Sequence, residues 1–406
     1  MRILIVGLNY APEPIGIGPY TTGLAEYLAA QGHRVEVVAG RPYYPQWRVY
    51  PGFGGLGWRR TDEAGVGVTR CWHYVPQVPG GAKRILHHLT FMLSAFPAAL
   101  WRALRMRPDA VLCVAPSIMS ALPARAAAWL GGGKLWLHVQ DFEVEAAFAT
   151  GMVKGPRLVR ILIAAERAVL RLADVVSSIS PQMVARLIDK GVAPGDAYEL
   201  RNWANALPGE SAGPGFREEW GLGSRQVILY SGNIARKQGA GLIVEAARRL
   251  AARDDLVFVI CGEGPELAKL KEQAEGLGNV RFHPLQPAAR LMELLQLAAI
   301  HLLPQVDAAA DLVLPSKLTN MLLSGRPVIA TALPGTGLFD EIEGCGLAIP
   351  PGDPAGLASA IAGLADDPAL AETMGATART RAAQRWSYAA IMGAFEQRLD
   401  ALVRPH

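Results

Sequence analysis

The chain has 406 residues, of which 51% are hydrophobic and 19% charged, with a formal net charge of +4 and a mean hydropathy of +0.19. That length accommodates two domains of ordinary size, and the composition excludes a disordered or low-complexity chain. Cys71, Cys113, Cys261 and Cys345 are scattered without paired spacing, which excludes a disulfide framework and argues against a zinc site.

The charge is uneven. Residues 1–200 hold 21 Lys and Arg against 14 Asp and Glu, and the remainder holds 19 against 22. A basic first half points to an anionic partner or surface, and no nucleic-acid motif accompanies it. No run of 18 uncharged apolar residues qualifies as a membrane span. The opening MRILIVGLNY reads as a strand and a loop, not a signal peptide, so a cytoplasmic location is expected.

The first strand is expected at Arg2–Gly7, followed by a loop rich in Gly and Pro to Tyr20. Thr21 or Thr22 is suited to cap a helix through about Gln31, and 35–38 is the next strand. This βαβ opening predicts a parallel sheet. Gly16-Ile17-Gly18 is not the dinucleotide fingerprint, so a Rossmann dehydrogenase gains little support. Gly16 and Gly18 either let the backbone approach a ligand or form a plain turn. In the following loop, Tyr43, Tyr44 and Trp47 interleave with prolines and polar residues, as in surfaces that stack on sugars or in a Pro-rich structural loop.

From Lys83 to Arg107 a broad apolar face, including Phe91, Phe96 and Trp101, is flanked by Lys83, Arg84, Arg102, Arg105 and Arg107. This fits a helix in a membrane interface with basic ends snorkelling to headgroups, or a buried core helix. Pro97 should kink it. Strands follow at 110–114, 136–139 and 174–180. His138, Gln140, Asp141, Glu143 and Glu145 gather where the 136–139 strand ends, the place where open α/β sheets bind ligands.

Residues 201–224 resemble an interdomain linker, after which the alternation restarts with strands at 227–230 and 256–261 around a helix at 239–252. Gly232 and Asn233 begin the intervening loop, and Arg236 with Lys237 could hold a diphosphate or be solvated surface charges. Gly262 and Gly264 follow the next strand. The segment ending at Pro284 is a place where a base could lie. Two helices are expected between Asp353 and Arg404.

The most informative stretch is 311–331, DLVLPSKLTNMLLSGRPVIAT. A helix is predicted from about Ser316 to Gly325, followed by a buried strand at 328–330. Its N-terminus suits an anion, Lys317 adds a full charge, and Asn320 one turn later can reach hydroxyls.

The stretch resembles the donor-binding segment of glycosyltransferase family 4, through Pro315-Ser316-Lys317 and Gly325-Arg326-Pro327. With NYAPEPIGIGPYT, RPYYPQW, LHVQDFEVEA and SGNIARKQG, almost the whole chain is similar to the WcaI-type branch of bacterial exopolysaccharide pathways. The resemblance implies an α/β chain with two Rossmann-like domains facing a central cleft, the GT-B fold. It implies an acceptor- and membrane-facing domain at 1–200, the linker at 201–224, a nucleotide-sugar domain at 225–385, and a helix at 386–406 crossing back.

It further implies a retaining sugar transfer from a nucleotide-diphosphate donor, without metal or other cofactor. A GDP-sugar such as GDP-fucose is favoured. The acceptor would be a polyprenyl-diphosphate-linked glycan at the inner membrane, with the protein peripherally attached. His138, Asp141, Lys237 and Lys317 would serve the chemistry. Gly16, Gly18, Gln140, Gly232, Asn233, Arg236, Gly262, Gly264, Pro284, Asp311, Leu314, Ser316 and Asn320 would hold the donor. Tyr43, Tyr44, Trp47, Lys83, Arg84, Phe91, Phe96, Trp101 and Arg102 would meet acceptor or membrane. The chain departs from the family at Asn320, which replaces the ribose-binding Glu, at Asn233, which replaces an Arg, and at Gln140, which replaces a His beside Asp141. A non-hydrolysing nucleotide-sugar epimerase and a non-catalytic peripheral membrane protein are the rival readings.

Overall fold

The computed structural model describes residues 1–115, 118–142, 156–203, 215–306, 315 and 317–404, with backbone alone for 156–159, 237 and 288. It divides into two units, Met1–Asn202 with Ala389–His406, and Trp203–Tyr388.

The first unit is built on an eight-stranded sheet in the order β3-β4-β2-β1-β5-β6-β7-β8. Its strands are β1 (Arg2–Gly7), β2 (Arg34–Gly40), β3 (Trp58–Glu63), β4 (Val66–Cys71), β5 (Ala110–Ala115), β6 (Lys134–Val139), β7 (Val175–Ser178) and β8 (Ala197–Glu199). All pairs are parallel except β3 with β4. Ile3, Leu4, Ile5 and Val6 are fully buried, as expected of a parallel strand covered on both faces. The order reverses at β1, which lies between β2 and β5, so the loop after β1 sits at a topological switch point.

The second unit carries six parallel strands in the order β11-β10-β9-β12-β13-β14. They are β9 (Gln226–Ser231), β10 (Leu256–Cys261), β11 (Val280–His283), β12 (Ile300–Leu303), β13 (Val328–Thr331) and β14 (Gly346–Ile349). Alternate residues of β9 and β10 feed two separate cores. Val227, Leu229, Val257 and Val259 enter one, and Ile228, Tyr230, Phe258 and Ile260 the other. Here the reversal falls between β9 and β12.

Several elements differ from expectation. The β3–β4 hairpin was not predicted, because β3 is an exposed edge strand with no apolar alternation. Its turn, Ala64-Gly65, has positive φ at both residues, the geometry that matches strand twist. The first helix starts at Gly18, ahead of both threonines, with Pro19 in its first turn. Thr22 Oγ1 instead accepts from Ala11 N–H at 2.8 Å, and Thr21 Oγ1 donates to the Ile17 carbonyl at 3.2 Å. The 83–107 helix runs from Gly81 to Met106 and includes Pro97. The expected linker includes a helix and a core residue of the second unit. Phe216–Glu219 form a short helix, and Phe216 is buried in the second unit's core.

After Asp353 there are three helices, Pro354–Asp366, Pro368–Arg385 and Tyr388–Val403. Asp367 divides the first two by accepting from Leu370 N–H at 3.0 Å, a cap that restarts the helix. The last helix packs on the first unit. Phe395 meets Trp136 edge-on at 4.9 Å, and Glu396 takes His33 Nε2 at 2.8 Å and the Tyr27 hydroxyl at 3.0 Å.

Candidate active site

In the first unit the loop after β1 is clamped by Glu13, which the sequence reading overlooked. The carboxylate is buried. Oε1 accepts from the backbone N–H groups of Tyr43 and Tyr44 at 2.9 and 3.0 Å, and Oε2 accepts from Asn9 Nδ2 at 2.8 Å. One side chain therefore ties the loop after β1 to the loop after β2. Both glycines of that first loop are forced by this packing. A Cβ on Gly18 would stand 2.9 Å from the Glu13 Cβ, and Gly16, at φ +76°, lies under the Tyr44 ring.

His138 and Gln140 do share a face, but that face is closed. Gln140 Nε2 donates to His138 Nε2 at 2.9 Å and to Asn202 Oδ1 at 3.0 Å, and Asn202 Nδ2 returns a bond to Gln140 Oε1 at 2.9 Å. His138 Nε2 is thus an acceptor, so Nδ1 carries the proton and donates to Ser177 Oγ at 2.9 Å, where the Trp136 indole also donates. Burial lowers the His138 pKa to about 4, so the ring is neutral. The polar groups of His138 and Gln140 are spent on each other and hold β6 to β7 and to Asn202. Asp141, the next residue, is only half-buried, and its charge lies close enough to Tyr44 to raise that phenol's pKa, behind the larger effect of burial. Glu143 and Glu145 lie outside the described residues.

The acceptor and membrane set divides. Tyr43 is buried, its ring 4.6 Å from that of His87 and 5.3 Å from that of Trp47. Phe91 is fully buried against His73 and cannot face lipid. Arg102 is fixed to the sheet, donating to Thr69 Oγ1 at 3.1 Å with Glu36 at 3.7 Å. Phe96 and Trp47 are half-buried, and Arg84 lies 6.0 Å over the Trp47 ring. Lys83 and Trp101 are exposed.

In the second unit Lys317 opens the helix Lys317–Leu323, which follows β12 in sequence. Its ammonium is shut off from water and has no hydrogen-bond partner among the described residues. It stands 4.1 Å over the ring of Tyr230, a residue missed in the sequence, whose hydroxyl donates to the Asn233 carbonyl at 2.6 Å. Burial lowers the Lys317 pKa to about 7. The helix is two turns long, so the charge of Lys317 outweighs the dipole as an anion-attracting element.

Around the ammonium the backbone is tight. Gly232 has φ +136°, and a Cβ there would stand 3.6 Å from Lys317 Nζ. A Cβ on Gly262 would fall 1.9 Å from the Gly232 carbonyl oxygen, and one on Gly264, at φ +155°, 2.2 Å from that of Ile234. Asn233 and Arg236 are exposed in the same loop. The Pro284 carbonyl is engaged by Cys261 Sγ at 3.1 Å and Gln286 Nε2 at 2.8 Å, and beside it Trp220 stacks on His283 at 3.7 Å. Asn320 is half-buried one turn beyond Lys317. Asp311, Leu314, Ser316 and the Lys237 side chain lie outside the described residues. No group of three or more His, Cys, Asp or Glu among the described residues is arranged to hold a metal ion.

Two family descriptions tile this chain. "Glycosyl transferase 4-like domain" matches residues 16–203, and "Glycosyl transferases group 1" matches 225–367. The Escherichia coli (strain K12) protein assigned to colanic acid biosynthesis as glycosyl transferase WcaI is 40% identical over 343 residues, covering 82% of this chain and 83% of that one. The chain belongs to the WcaI-type glycosyltransferases. The fold agrees. Sucrose-phosphate synthase from Thermosynechococcus elongatus superposes at a TM-score of 0.75 with 19% identity over 99% of both chains. HepE of Anabaena, solved in complex with UDP, gives 0.69 with 15% identity over 99% of this chain and 100% of that one. This glycosyltransferase therefore has the two Rossmann-like units of the GT-B class. Lys317 meets Gly232 just beyond the carboxyl end of β9, beside the reversal between β9 and β12, and open α/β sheets bind ligands at such switch points.

Proposed function

We propose that this glycosyltransferase moves a sugar, with retention, from a GDP-sugar such as GDP-fucose to a polyprenyl-diphosphate-linked glycan in exopolysaccharide synthesis. In this reading the protein acts at the inner face of the membrane, to which it attaches peripherally. The observation that carries the donor assignment is the buried ammonium of Lys317, without a hydrogen-bond partner among the described residues and beside the Gly232 backbone. A lone buried cation is costly unless an anion completes it. A nucleotide diphosphate supplies that anion, and UDP is the ligand solved in HepE. Guanine rather than uracil, and fucose as the sugar, are what the resemblance of the sequence motifs to the WcaI-type branch implies.

In the transfer the anomeric C–O bond breaks and its electron pair leaves on the diphosphate. Lys317, Arg236 and Lys237 stabilise that added charge. The acceptor hydroxyl oxygen bonds to the anomeric carbon on the face being vacated, and its proton passes to a departing phosphate oxygen. No enzymic base is required. A double displacement would instead need a carboxylate at the sugar, and Asp141 is the candidate to test. If Asp141→Asn retains near-full activity, a nucleophile there is excluded.

The test is an assay of labelled GDP-fucose, GDP-mannose and UDP-sugars with membrane-extracted lipid-linked glycan, the product's anomeric configuration being read by NMR. Label in the lipid fraction from a GDP-sugar, with the donor's configuration kept, supports the reading. Transfer from UDP-sugars alone replaces the donor, an inverted product rejects retention, and acceptor-independent conversion of the nucleotide sugar indicates an epimerase.

A further inference from the structure

Two helices of the first unit, Gly81–Met106 and Ala121–Gly131, pack side by side on one face of the sheet. They are 26 and 11 residues long, and neither contains a single Asp or Glu. The inner side of the longer helix is spent on the core through Phe91, Ala95, Ala99 and Ala103, all fully buried. The outer side is still apolar. Ile85, Leu89 and Leu93 recur at four-residue steps, Trp101 lies two such steps further on, and the four are 37–59% exposed, while Leu122 and Trp129 on the shorter helix are 41% and 78% exposed. A helix face meant for water carries charged residues of both signs in those positions.

The charges that are present are all positive. Lys83 and Arg84 lie in the first turn, where the helix dipole is itself positive. They oppose the dipole of the helix that bears them, an arrangement that an anionic surface would offset. Near the other end Arg105 lies 4.4 Å over the ring of Trp101, its charge above an apolar body. No helix among the described residues is long and apolar enough to cross a membrane. A second copy of the chain is a poor occupant, since a self-complementary contact would set cation against cation.

We infer that the outer faces of these two helices form one lipid-docking surface for anionic headgroups, with Trp101 and Trp129 as its interfacial anchors. This deepens the proposal of a membrane-bound acceptor and rests on it. It extends the contact beyond the longer helix and assigns Phe91 and Arg102 to the fold instead.

The test is flotation of the full chain with phosphatidylcholine vesicles, with and without phosphatidylglycerol, at low and at physiological salt. The wild type should float with the anionic vesicles and be partly released by salt. Leu93→Glu combined with Trp129→Glu should weaken that binding at least tenfold, and Lys83→Gln combined with Arg84→Gln several-fold. A nucleotide thermal-shift titration, unchanged in both variants, shows that they are folded and reads the donor site separately. Failure of the wild type to bind anionic vesicles overturns the inference, even if nucleotide binding is normal. Undiminished binding by the Leu93/Trp129 variant overturns it too. So does light scattering that shows a dimer which this variant converts to monomer, since the occupant is then a second copy.

Discussion

The Lys317 ammonium stands 4.1 Å from the centre of the Tyr230 ring and has no hydrogen-bond acceptor among the described residues. A cation held against the negative face of a ring, with no carboxylate on it among the described residues, is only partly stabilised, and an anion would complete it. The cost falls on the empty enzyme. Lys317→Met should therefore raise the stability of the unliganded protein by about 1–3 kcal/mol in thermal unfolding, while weakening diphosphate binding at least a hundredfold. The pH dependence follows from the lowered pKa. Between about 7 and the ordinary 10.5 the unfolded state binds the extra proton, so wild-type stability rises with pH across that window. The advantage of Lys317→Met should be largest at or below pH 7 and shrink towards pH 10. Loss of stability in the variant at pH 7 would contradict this.

Gly262 has no room for a side chain. An added Cβ would fall 1.9 Å from the Gly232 carbonyl oxygen, so Gly262→Ala must move the backbone beside Lys317. We expect a loss of about 1–3 kcal/mol in chemical denaturation and a weakened nucleotide response. Wild-type behaviour in both would mean that the two strand ends are not in tight register.

Glu13 should separate shape from charge. Glu13→Ala leaves the Tyr43 and Tyr44 N–H groups without their acceptor, at a cost of about 2–4 kcal/mol in denaturant unfolding. Glu13→Gln retains a carbonyl oxygen for both and should cost far less. Burial raises the Glu13 pKa against the pull of those hydrogen bonds. The native state therefore binds the proton first, and the wild type should gain stability relative to Glu13→Gln as pH falls through that raised value. An Ala variant as stable as the Gln variant would remove the clamp from the account.

Buried imidazoles make the protein acid-labile, His73, His87, His138 and His301 among them. Burial lowers His138 and His87 to about 4 and His301 to about 3. Below the ordinary value of 6.5 the unfolded state takes up protons that the native state refuses, so stability is lost as pH falls from 6.5 towards 4. Each contributes roughly 1–3 kcal/mol over that span. His301→Gln should flatten the slope of stability against pH by about one proton. An unchanged slope would show that His301 is protonated in the fold.

Much of this architecture was legible in the chain. Continuous apolar runs such as Ile3–Val6 and Val257–Ile260 announced buried parallel strands, and Gly325 marked the end of the Lys317 helix. The prominence of Lys317 was also readable, from Pro315, Ser316 and the following Gly-x-Pro. What escaped depends on distant partners. Alternation placed His138 and Gln140 on one face, but Ser177 and Asn202, which close over them, lie 39 and 62 positions away from their partners. Glu13 reads as one acid in a Pro-rich loop until Tyr43 and Tyr44 meet it. The Gly81–Met106 helix is apolar on nearly all sides, so periodicity could not assign Phe91 to the core and Trp101 to the surface. The hairpin from Trp58 to Cys71 gave no alternating signal on its outer strand.

The most direct test of the central claim is a thermal-shift titration of wild type and Lys317→Met with GDP, UDP and ADP. One nucleoside diphosphate, GDP foremost, should stabilise the wild type by about 2.7 kcal/mol at a hundred times its dissociation constant. The same nucleotide should leave Lys317→Met unmoved. No response to any nucleotide, or an equal response in both proteins, would contradict a donor diphosphate held by Lys317.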